Sequence, residues 1–272
     1  GSEGRKENTV QKIARFILSP LVFLFFLLKH RPGIVHINTS MAPRSYWRDI
    51  AYLLIARILK CRVVYQVHGG VLPEDFFAYS RALTGLLRWV LMQPEVVVLL
   101  ARVEFDAYRC FVPGQRLEVV ANAIDARTLA AEPLSAKPRG PLHLVYLGRL
   151  AESKGIFEIL AALAALVGQG RDLRLSIGGS GPDEARLRAQ VVELGLVDRV
   201  VFAGTVFGTD KDRLWRKGHV FVFPTYHEGL PYSLLEAMAA GAVPITTRGG
   251  AISDVIQDEV HGLFVAEKAP AA

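Results

Sequence analysis

Two cations stand close together in the stretch Gly-Arg-Leu-Ala-Glu-Ser-Lys-Gly, residues 148–155, between an apolar run and a helical pattern. The start of a helix offers unpaired N–H groups and the positive end of a dipole, so Arg149 and Lys154 there would form a site suited to phosphate. The stretch is not a Walker A loop, and the sequence has no GxGxxG dinucleotide fingerprint. Taken alone, it is also explained by two solvated surface cations.

Two carboxylates follow a later apolar run. Pro231 suits the first position of a helix, which places Glu228 in the preceding loop and Glu236 roughly two turns inside the helix. Carboxylates accept paired hydrogen bonds from vicinal hydroxyls, so a ribose or another sugar is a suitable partner, and the amides of Gly229 and Leu230 would face the same ligand. The alternative is one glutamate that stabilises the helix start and a second, incidental acid.

Two further sites are glycine-rich. In Gly178-Gly179-Ser180-Gly181-Pro182, between a strand and a helix, glycine would let the backbone approach a ligand closely, and a plain tight turn is the alternative. His68 precedes two glycines at the end of another strand, where it could meet a ligand lodged in a crevice between domains. A structural histidine is the alternative there.

The elements that must position these residues alternate between short β-branched runs and longer helical patterns, which predicts βαβ units around parallel sheets. Strands are predicted at 34–38, 62–67, 95–100, 117–120, 142–147, 173–177, 200–202, 220–223 and 243–246, and helices at 46–60, 155–167, 182–194, 210–217 and 231–240. The Ala- and Pro-rich stretch 123–141 is predicted to link an N-terminal domain, residues 1–122, to a C-terminal domain, residues 142–272.

Composition limits the partners. The formal net charge of +6 and a pI near 9.4 favour anionic partners such as phosphate ligands or an acidic membrane surface. The basic residues are scattered and no nucleic-acid-binding signature is found, so nucleic acid is not expected. Cys61 and Cys110 both lie in apolar sequence, which predicts buried free thiols, and the scarcity of cysteine favours a reducing, cytoplasmic setting.

The N-terminal region contains an almost wholly apolar run from Phe16 to Leu28, with basic residues on both sides. As a helix it would span only about 20 Å, which is short of the ~30 Å hydrocarbon core, so a transmembrane span is not predicted. A signal peptide fits poorly because no small-x-small cleavage site follows. Two alternatives remain: a buried core helix, or an interfacial helix that brings residues 10–31 to a membrane surface.

In order and spacing, these motifs resemble family 4 of the retaining glycosyltransferases, which have the GT-B fold of two Rossmann-like domains facing a cleft. The resemblance runs from about Ile34 to Val265. Its specific part is Gly148-Arg149-Leu150 with Lys154-Gly155, then Gly179-x-Gly181-Pro182, and Glu228-Gly229-x-Pro231 leading to Glu236-Ala237-Met238-Ala239 and Gly241. In the first half it rests on His68-Gly69 and on Asn122-Ala123-Ile124-Asp125.

The resemblance implies a nucleotide-diphosphate sugar as donor and assigns each site residue a role toward it. Arg149 and Lys154 would bind the diphosphate and stabilise the charge that develops as the sugar departs. Glu228 would contact the donor sugar and Glu236 the ribose, with His68 approaching the sugar from the other domain. The remaining donor-binding residues would be the amides of Gly229 and Leu230 near the phosphates, Val206 near the base, and Pro231 and Gly179. No metal and no cofactor are expected.

The resemblance also has departures. Members of the family begin with a strand and a glycine-rich loop and end with a helix returning to the first domain, and neither is found here, so we expect a sequence truncated at both ends with an incomplete first domain. The acceptor would be a glycan or a lipid-linked molecule in cell-surface or polysaccharide synthesis, at the inner face of the membrane. The alternatives are a nucleotide-sugar-binding fragment without turnover, and a GT-B epimerase acting on the nucleotide sugar.

Overall fold

The computed structural model describes residues 9–125, 140–226 and 228–270, without the side chains of residues 9–17 and 44. The chain divides into two compact units, one ending at Val120 and the other beginning at Ala121. Most of the predicted linker, residues 126–139, lies outside the described residues. Each unit is built on one parallel β-sheet, so the prediction of an α/β fold with two Rossmann-like domains is confirmed.

The first unit contains a four-stranded sheet in the order β1-β2-β3-β4. Its elements are α1 (Thr9–His30), β1 (Ile34–Met41), α2 (Pro43–Ile58), β2 (Arg62–Gly70), α3 (Pro73–Phe76), α4 (Arg81–Leu91), β3 (Val96–Leu99), α5 (Arg102–Phe111) and β4 (Leu117–Val119). Buried and exposed residues alternate along β1 and β2, so one face of the sheet packs on the core of the unit. Helices α3, α4 and α5 had not been predicted.

The core of the first unit is aromatic as well as aliphatic. Tyr46 of α2 is buried and packs edge-on against Phe76 and Phe77. Cys61 is buried in the same core, as predicted. The prediction is wrong for Cys110, which is exposed on α5 because the apolar residues around it in sequence face the other side of the helix.

Helix α1 is longer than the predicted apolar run, and the exposure of its side chains bears on the two alternatives that the sequence left open. It has 22 residues, with Pro20 inside, and its described apolar side chains lie mostly in solvent. Leu27 is buried and Phe23 packs on Tyr52, with 4.9 Å between ring centroids, but Phe25 is 70% exposed. Within the described residues α1 is therefore not a buried core helix, because the first unit covers only one side of it. Within the described residues, no helix has the length and hydropathy of a membrane span.

The second unit contains a six-stranded sheet in the order β10-β9-β8-β5-β6-β7. Its elements are β5 (Leu142–Leu147), a 3₁₀ turn (Glu152–Lys154), α6 (Ile156–Gly168), β6 (Leu173–Gly178), α7 (Glu184–Glu193), β7 (Val200–Gly204), α8 (Gly208–Lys217), β8 (Val220–Phe223), α9 (Tyr232–Ala239), β9 (Val243–Thr246), α10 (Ile252–Val255) and β10 (Leu263–Phe264). The chain builds outward from β5 to β7 and then returns to the other side of β5 with β8. The topological switch point therefore lies between β5 and β8, where open α/β sheets bind ligands.

Candidate functional site

The loops that follow β5 and β8 meet at the switch point, and they bring two of the predicted site residues together. Lys154 Nζ donates a 2.6 Å hydrogen bond to Glu228 Oε1. About four fifths of each side chain is buried, with 19% and 23% exposed, so the pair is shielded from bulk solvent but still reaches the surface. A cation and a carboxylate thus lie side by side at the carboxyl edge of the sheet.

Gly155 explains why Lys154 comes so close to the β8 loop. Its backbone is left-handed, with φ of 67°, and a Cβ there would lie 2.1 Å from the carbonyl oxygen of Pro224. Only glycine allows this approach. The amide of Tyr226 then donates to the carbonyl of Ser153 at 3.0 Å, which joins the 3₁₀ turn to the β8 loop.

Arg149 lies in the same loop as Lys154, but its side chain is exposed. Its backbone is fixed, because the hydroxyl of Tyr146 donates to the carbonyl of Arg149 at 2.7 Å. Burial, and to a lesser degree the charge of Glu228, raises the pKa of Tyr146, so the hydroxyl stays protonated and donates. No ion-pair partner of Arg149 is found within residues 140–226 and 228–270, which leaves its guanidinium available to an anion.

Gly179 supports the Arg149 loop from the neighbouring strand. Its φ is 124°, and a Cβ there would lie 1.9 Å from the carbonyl oxygen of Gly148. One residue on, the carbonyl of Ser180 accepts a 3.0 Å hydrogen bond from the amide of Leu150. The glycine therefore lets one loop pack against another, and a direct contact between Gly179 and a ligand stays a prediction.

Glu236 lies closer to the start of α9 than predicted. The helix begins at Tyr232 and Pro231 precedes it in extended conformation, so the carboxylate is about one turn inside the helix instead of two. Each of its two oxygens accepts a hydrogen bond from a different residue of α8. Lys211 Nζ donates to Oε1 at 2.6 Å, and Trp215 Nε1 donates to Oε2 at 3.2 Å.

Lys211 and Trp215 had not been predicted as site residues. They lie 25 and 21 positions from Glu236 in the sequence, on a helix that carries no recognisable motif. Their spacing of four residues, which places both on one face of α8, is the only signal that could have suggested a shared partner.

The loop before α9 is held through its carbonyl groups. The carbonyl of Leu230 accepts a 2.7 Å hydrogen bond from Asn122 Nδ2, and that of Gly229 accepts one of 3.1 Å from the amide of Ala251. The side chain of Leu230 is buried. Among the described residues, nothing accepts a hydrogen bond from the amides of Gly229 or Leu230, so these donors at a helix start can serve an anion.

Two neighbouring loops complete this edge of the sheet. A Cβ at Gly250, after β9, would lie 1.9 Å from the carbonyl oxygen of Glu228, so this glycine packs directly beneath the carboxylate loop. Val206, after β7, is half-buried beside Gly178. His227, which precedes Glu228, lies outside the described residues.

His68 belongs to the first unit and the other candidate residues to the second. It lies at the end of β2, with Nε2 3.1 Å from Oδ1 of Asn38 on β1. Burial, assisted by His36, lowers the pKa of His68, so the imidazole is neutral at physiological pH and can exchange hydrogen bonds with a hydroxyl. Its role toward a donor sugar stays a prediction.

A metal site is not indicated in the part of the chain that the structure describes, where no three His, Cys, Asp or Glu side chains come together to hold an ion. The described candidates are instead two cations, two paired carboxylates and free amides. This set can bind a diphosphate beside one or two diols, and metal independence stays a prediction.

Comparison with known proteins agrees with this geometry. Residues 132–272, slightly more than half of the chain, match the family described as Glycosyl transferases group 1. A 2-deoxystreptamine glucosyltransferase of Streptomyces kanamyceticus is 33% identical over 161 residues, which are 55% of this chain and 41% of that protein. A GDP-mannose:cellobiosyl-diphosphopolyprenol alpha-mannosyltransferase of Xanthomonas oryzae pv. oryzae is 28% identical over 199 residues, which are 71% of this chain and 52% of that protein.

The chain therefore spans about half the length, or less, of these curated relatives. Among solved structures, Anabaena Alr3699/HepE in complex with UDP superposes with a TM-score of 0.73 at 18% identity, over 94% of this chain and 70% of that one. At this identity the likeness shows the fold, which is the GT-B fold predicted from the sequence. Because the family match extends over more than half of the residues and the fold agrees, the chain belongs to the glycosyl transferases group 1 family.

Proposed function

We propose that this protein is a glycosyltransferase that moves a sugar from a nucleotide-diphosphate sugar to an acceptor, with the second unit as the donor site. The observation that carries the proposal is the Lys154–Glu228 pair at the switch point, with 2.6 Å between Nζ and Oε1. In such a donor the β-phosphate is bonded directly to the sugar. A phosphate-binding cation beside a hydroxyl-binding carboxylate matches that adjacency.

The positive groups at this edge serve the diphosphate in this proposal. Arg149 is exposed, with its backbone carbonyl held by the Tyr146 hydroxyl, and the amides of Gly229 and Leu230 lie at the start of α9. Together with Lys154 they stabilise the negative charge that the nucleoside diphosphate gains as it leaves the sugar. Glu236, set apart from Lys154 on α9, accepts the ribose hydroxyls at the other end of the diphosphate.

The relatives support a nucleotide sugar as the donor class. The Xanthomonas protein is named for GDP-mannose, and the Anabaena structure contains UDP, so these two differ in the base. We extend the proposal to a reaction that retains the anomeric configuration, as in family 4, with a glycan or lipid-linked acceptor in polysaccharide synthesis. The named acceptor of the Xanthomonas protein, a diphosphopolyprenol, supports the lipid-linked form.

Calorimetric titration with UDP, GDP and ADP tests the donor site. We expect one nucleotide to bind, and Glu236→Ala to weaken it by at least about tenfold, since hydrogen bonds to a charged group contribute about 1.5–3 kcal/mol. Glu193→Ala, which removes an exposed carboxylate at the end of α7, is the matched control and should bind like the wild type.

Each outcome separates one candidate from the others. A folded protein that binds none of the three nucleotides overturns the donor site. Tight binding of a nucleotide sugar with neither transfer nor hydrolysis identifies a binding module without turnover. This is the second candidate because the chain covers only 41% and 52% of the two relatives. Conversion of the donor sugar without an acceptor identifies an epimerase.

We also propose that α1 brings the protein to a membrane surface, where it lies in the plane of the interface. Its exposed apolar side chains are Leu18, Leu21, Val22, Phe25, Phe26 and Leu28. Lys29 and His30 in the last turn of α1, and Arg31 after it, are also exposed. Apolar surface next to basic residues is the pattern that binds anionic lipid.

Co-sedimentation with vesicles tests this surface. Phe25→Ser should weaken binding to phosphatidylglycerol vesicles by about tenfold, because burying a phenylalanine side chain contributes about 1.5–3 kcal/mol. Phe207→Ser removes an equally exposed phenylalanine from the second unit and should leave binding unchanged. If both variants lose vesicle binding equally, or if the wild type does not bind vesicles, α1 is not the membrane-binding element.

A further inference from the structure

The carboxylate of Glu236 is held on both sides by α8. Lys211 Nζ donates to Oε1 at 2.6 Å and Trp215 Nε1 donates to Oε2 at 3.2 Å. The two donors are four residues apart, so they project from one face of α8 toward one residue of α9. Among the described residues each carboxylate oxygen therefore has one donor, and the two hydrogen bonds fix the rotation of the carboxylate.

Trp215 is suited to orient the carboxylate because its ring is held in the core of the second unit. Its side chain is fully buried, and its ring packs edge-on against Phe221, with 5.5 Å between centroids. The indole N–H can donate but cannot accept, so its only role toward Glu236 is to orient one oxygen. Lys211 is 30% exposed and supplies the positive charge.

A carboxylate can accept about four hydrogen bonds, and two of these places are taken by α8. As far as the structure describes the chain, one place on each oxygen remains, which matches the two neighbouring hydroxyls of a ribose. Lys211 also offsets the negative charge of Glu236, which would otherwise repel a diphosphate bound nearby.

We propose that Trp215 and Lys211 are positioning residues that hold Glu236 in the one orientation that binds the ribose 2′- and 3′-hydroxyls, and so determine the preference of the site for ribonucleotides. The inference rests on the proposed function, because it assumes that Glu236 contacts the ribose. It adds two residues of α8 to the site and predicts that they increase its preference for a ribonucleotide over the dideoxy counterpart.

The test compares each variant with two ligands by calorimetry: the ribonucleoside diphosphate that the wild type binds, and its 2′,3′-dideoxy counterpart. We expect Trp215→Phe, which keeps a buried aromatic ring but removes the N–H, to weaken the ribonucleotide by about tenfold and to leave the dideoxy ligand unchanged. Lys211→Met, which keeps most of the stem, should weaken the ribonucleotide more than the dideoxy ligand; both lose some affinity because both carry the diphosphate that the Lys211 charge favours. Lys217→Met, at the exposed end of α8, is the control and should change neither affinity.

A purely structural role for Trp215 would weaken both ligands equally and would overturn the proposal. If Trp215→Phe fails to fold, Lys211→Met decides, because its side chain is partly exposed and its removal leaves the core intact. If the wild type prefers the ribonucleotide but neither variant reduces that preference, the inference about α8 is wrong while the donor site stands. If the wild type binds no ribonucleotide, the proposed function itself fails.

Discussion

Replacing Arg149 by alanine should lower the rate of sugar transfer by about 100-fold while leaving the melting temperature unchanged. The guanidinium is exposed, and the loop that carries it is held by backbone contacts, from Tyr146 Oη to the carbonyl of Arg149 and from the amide of Leu150 to Ser180. The substitution therefore removes charge and little else. Loss of one donor that stabilises a leaving anion costs about 10²–10³ in rate.

The measurement is the release of nucleoside diphosphate from the nucleotide sugar, with and without acceptor, over a range of donor concentrations. The loss should appear in kcat, because the charge of the leaving group develops in the transition state, and less in KM. Arg171→Ala is the matched control, since Arg171 is an exposed arginine that precedes β6, at the opposite end of the strand from Gly179. Equal rates for both variants would show that Arg149 is a solvated surface cation, which is the alternative that the sequence left open.

Arg149 is a sharper test than Lys154 for a physical reason. Lys154 is paired with Glu228 and about four fifths buried, so Lys154→Ala would leave a carboxylate without its partner. Its effect would combine lost charge stabilisation with the cost of an unpaired, partly buried Glu228. Arg149 has no such partner among the described residues, so its removal reports on the ligand alone.

The sequence predicted the site residues that directly follow strands better than the residues that hold those site residues in position. Arg149 and Glu228 could be found because β-branched runs locate the strands, and the carboxyl ends of parallel strands lie along one edge. Trp215 could not be found in this way. It lies on a helix between two strands, and its hydrogen bond to Glu236 depends on how α8 packs against α9.

The burial of α1 could not be predicted for a different reason. A helix with apolar residues on several sides has no single face that marks the core, so the run around Phe25 fits a buried helix and an interfacial helix equally well. The exposure of Phe25 is decided by which side of α1 packs against α2, as Phe23 does on Tyr52, and this is a tertiary property. By contrast, the sequence marks α4 by a strong amphipathic pattern and by Ser80, whose side chain caps the helix by accepting from the amide of Leu83.

Gly179→Ala should destabilise the second unit by about 3 kcal/mol and abolish nucleotide binding. The added Cβ would lie 1.9 Å from the carbonyl oxygen of Gly148, and the φ of 124° is unfavourable for any side chain. Backbone strain and overpacking each cost about 1–3 kcal/mol. The neighbouring loop can relieve the clash only by moving, and that loop carries Arg149, so stability and donor binding should fall together.

Gly195→Ala separates the two costs. Gly195 also has a positive φ, of 67°, but no neighbouring atom lies within 4 Å of its Cβ position. This variant should therefore lower the free energy of unfolding only through its backbone conformation, by about 1 kcal/mol. The chain has three tryptophans, and two of them, Trp47 and Trp89, lie in the first unit. In a Trp47→Phe, Trp89→Phe background, urea unfolding followed by the fluorescence of Trp215 therefore reports on the second unit. If Gly179→Ala lowers the free energy of unfolding by no more than Gly195→Ala does, and the Gly179→Ala protein still binds nucleotide, the contact between the two loops does not hold Arg149 in place. A larger cost at Gly179 alone means that the close packing of the β5 and β6 loops sets the position of the phosphate-binding cation.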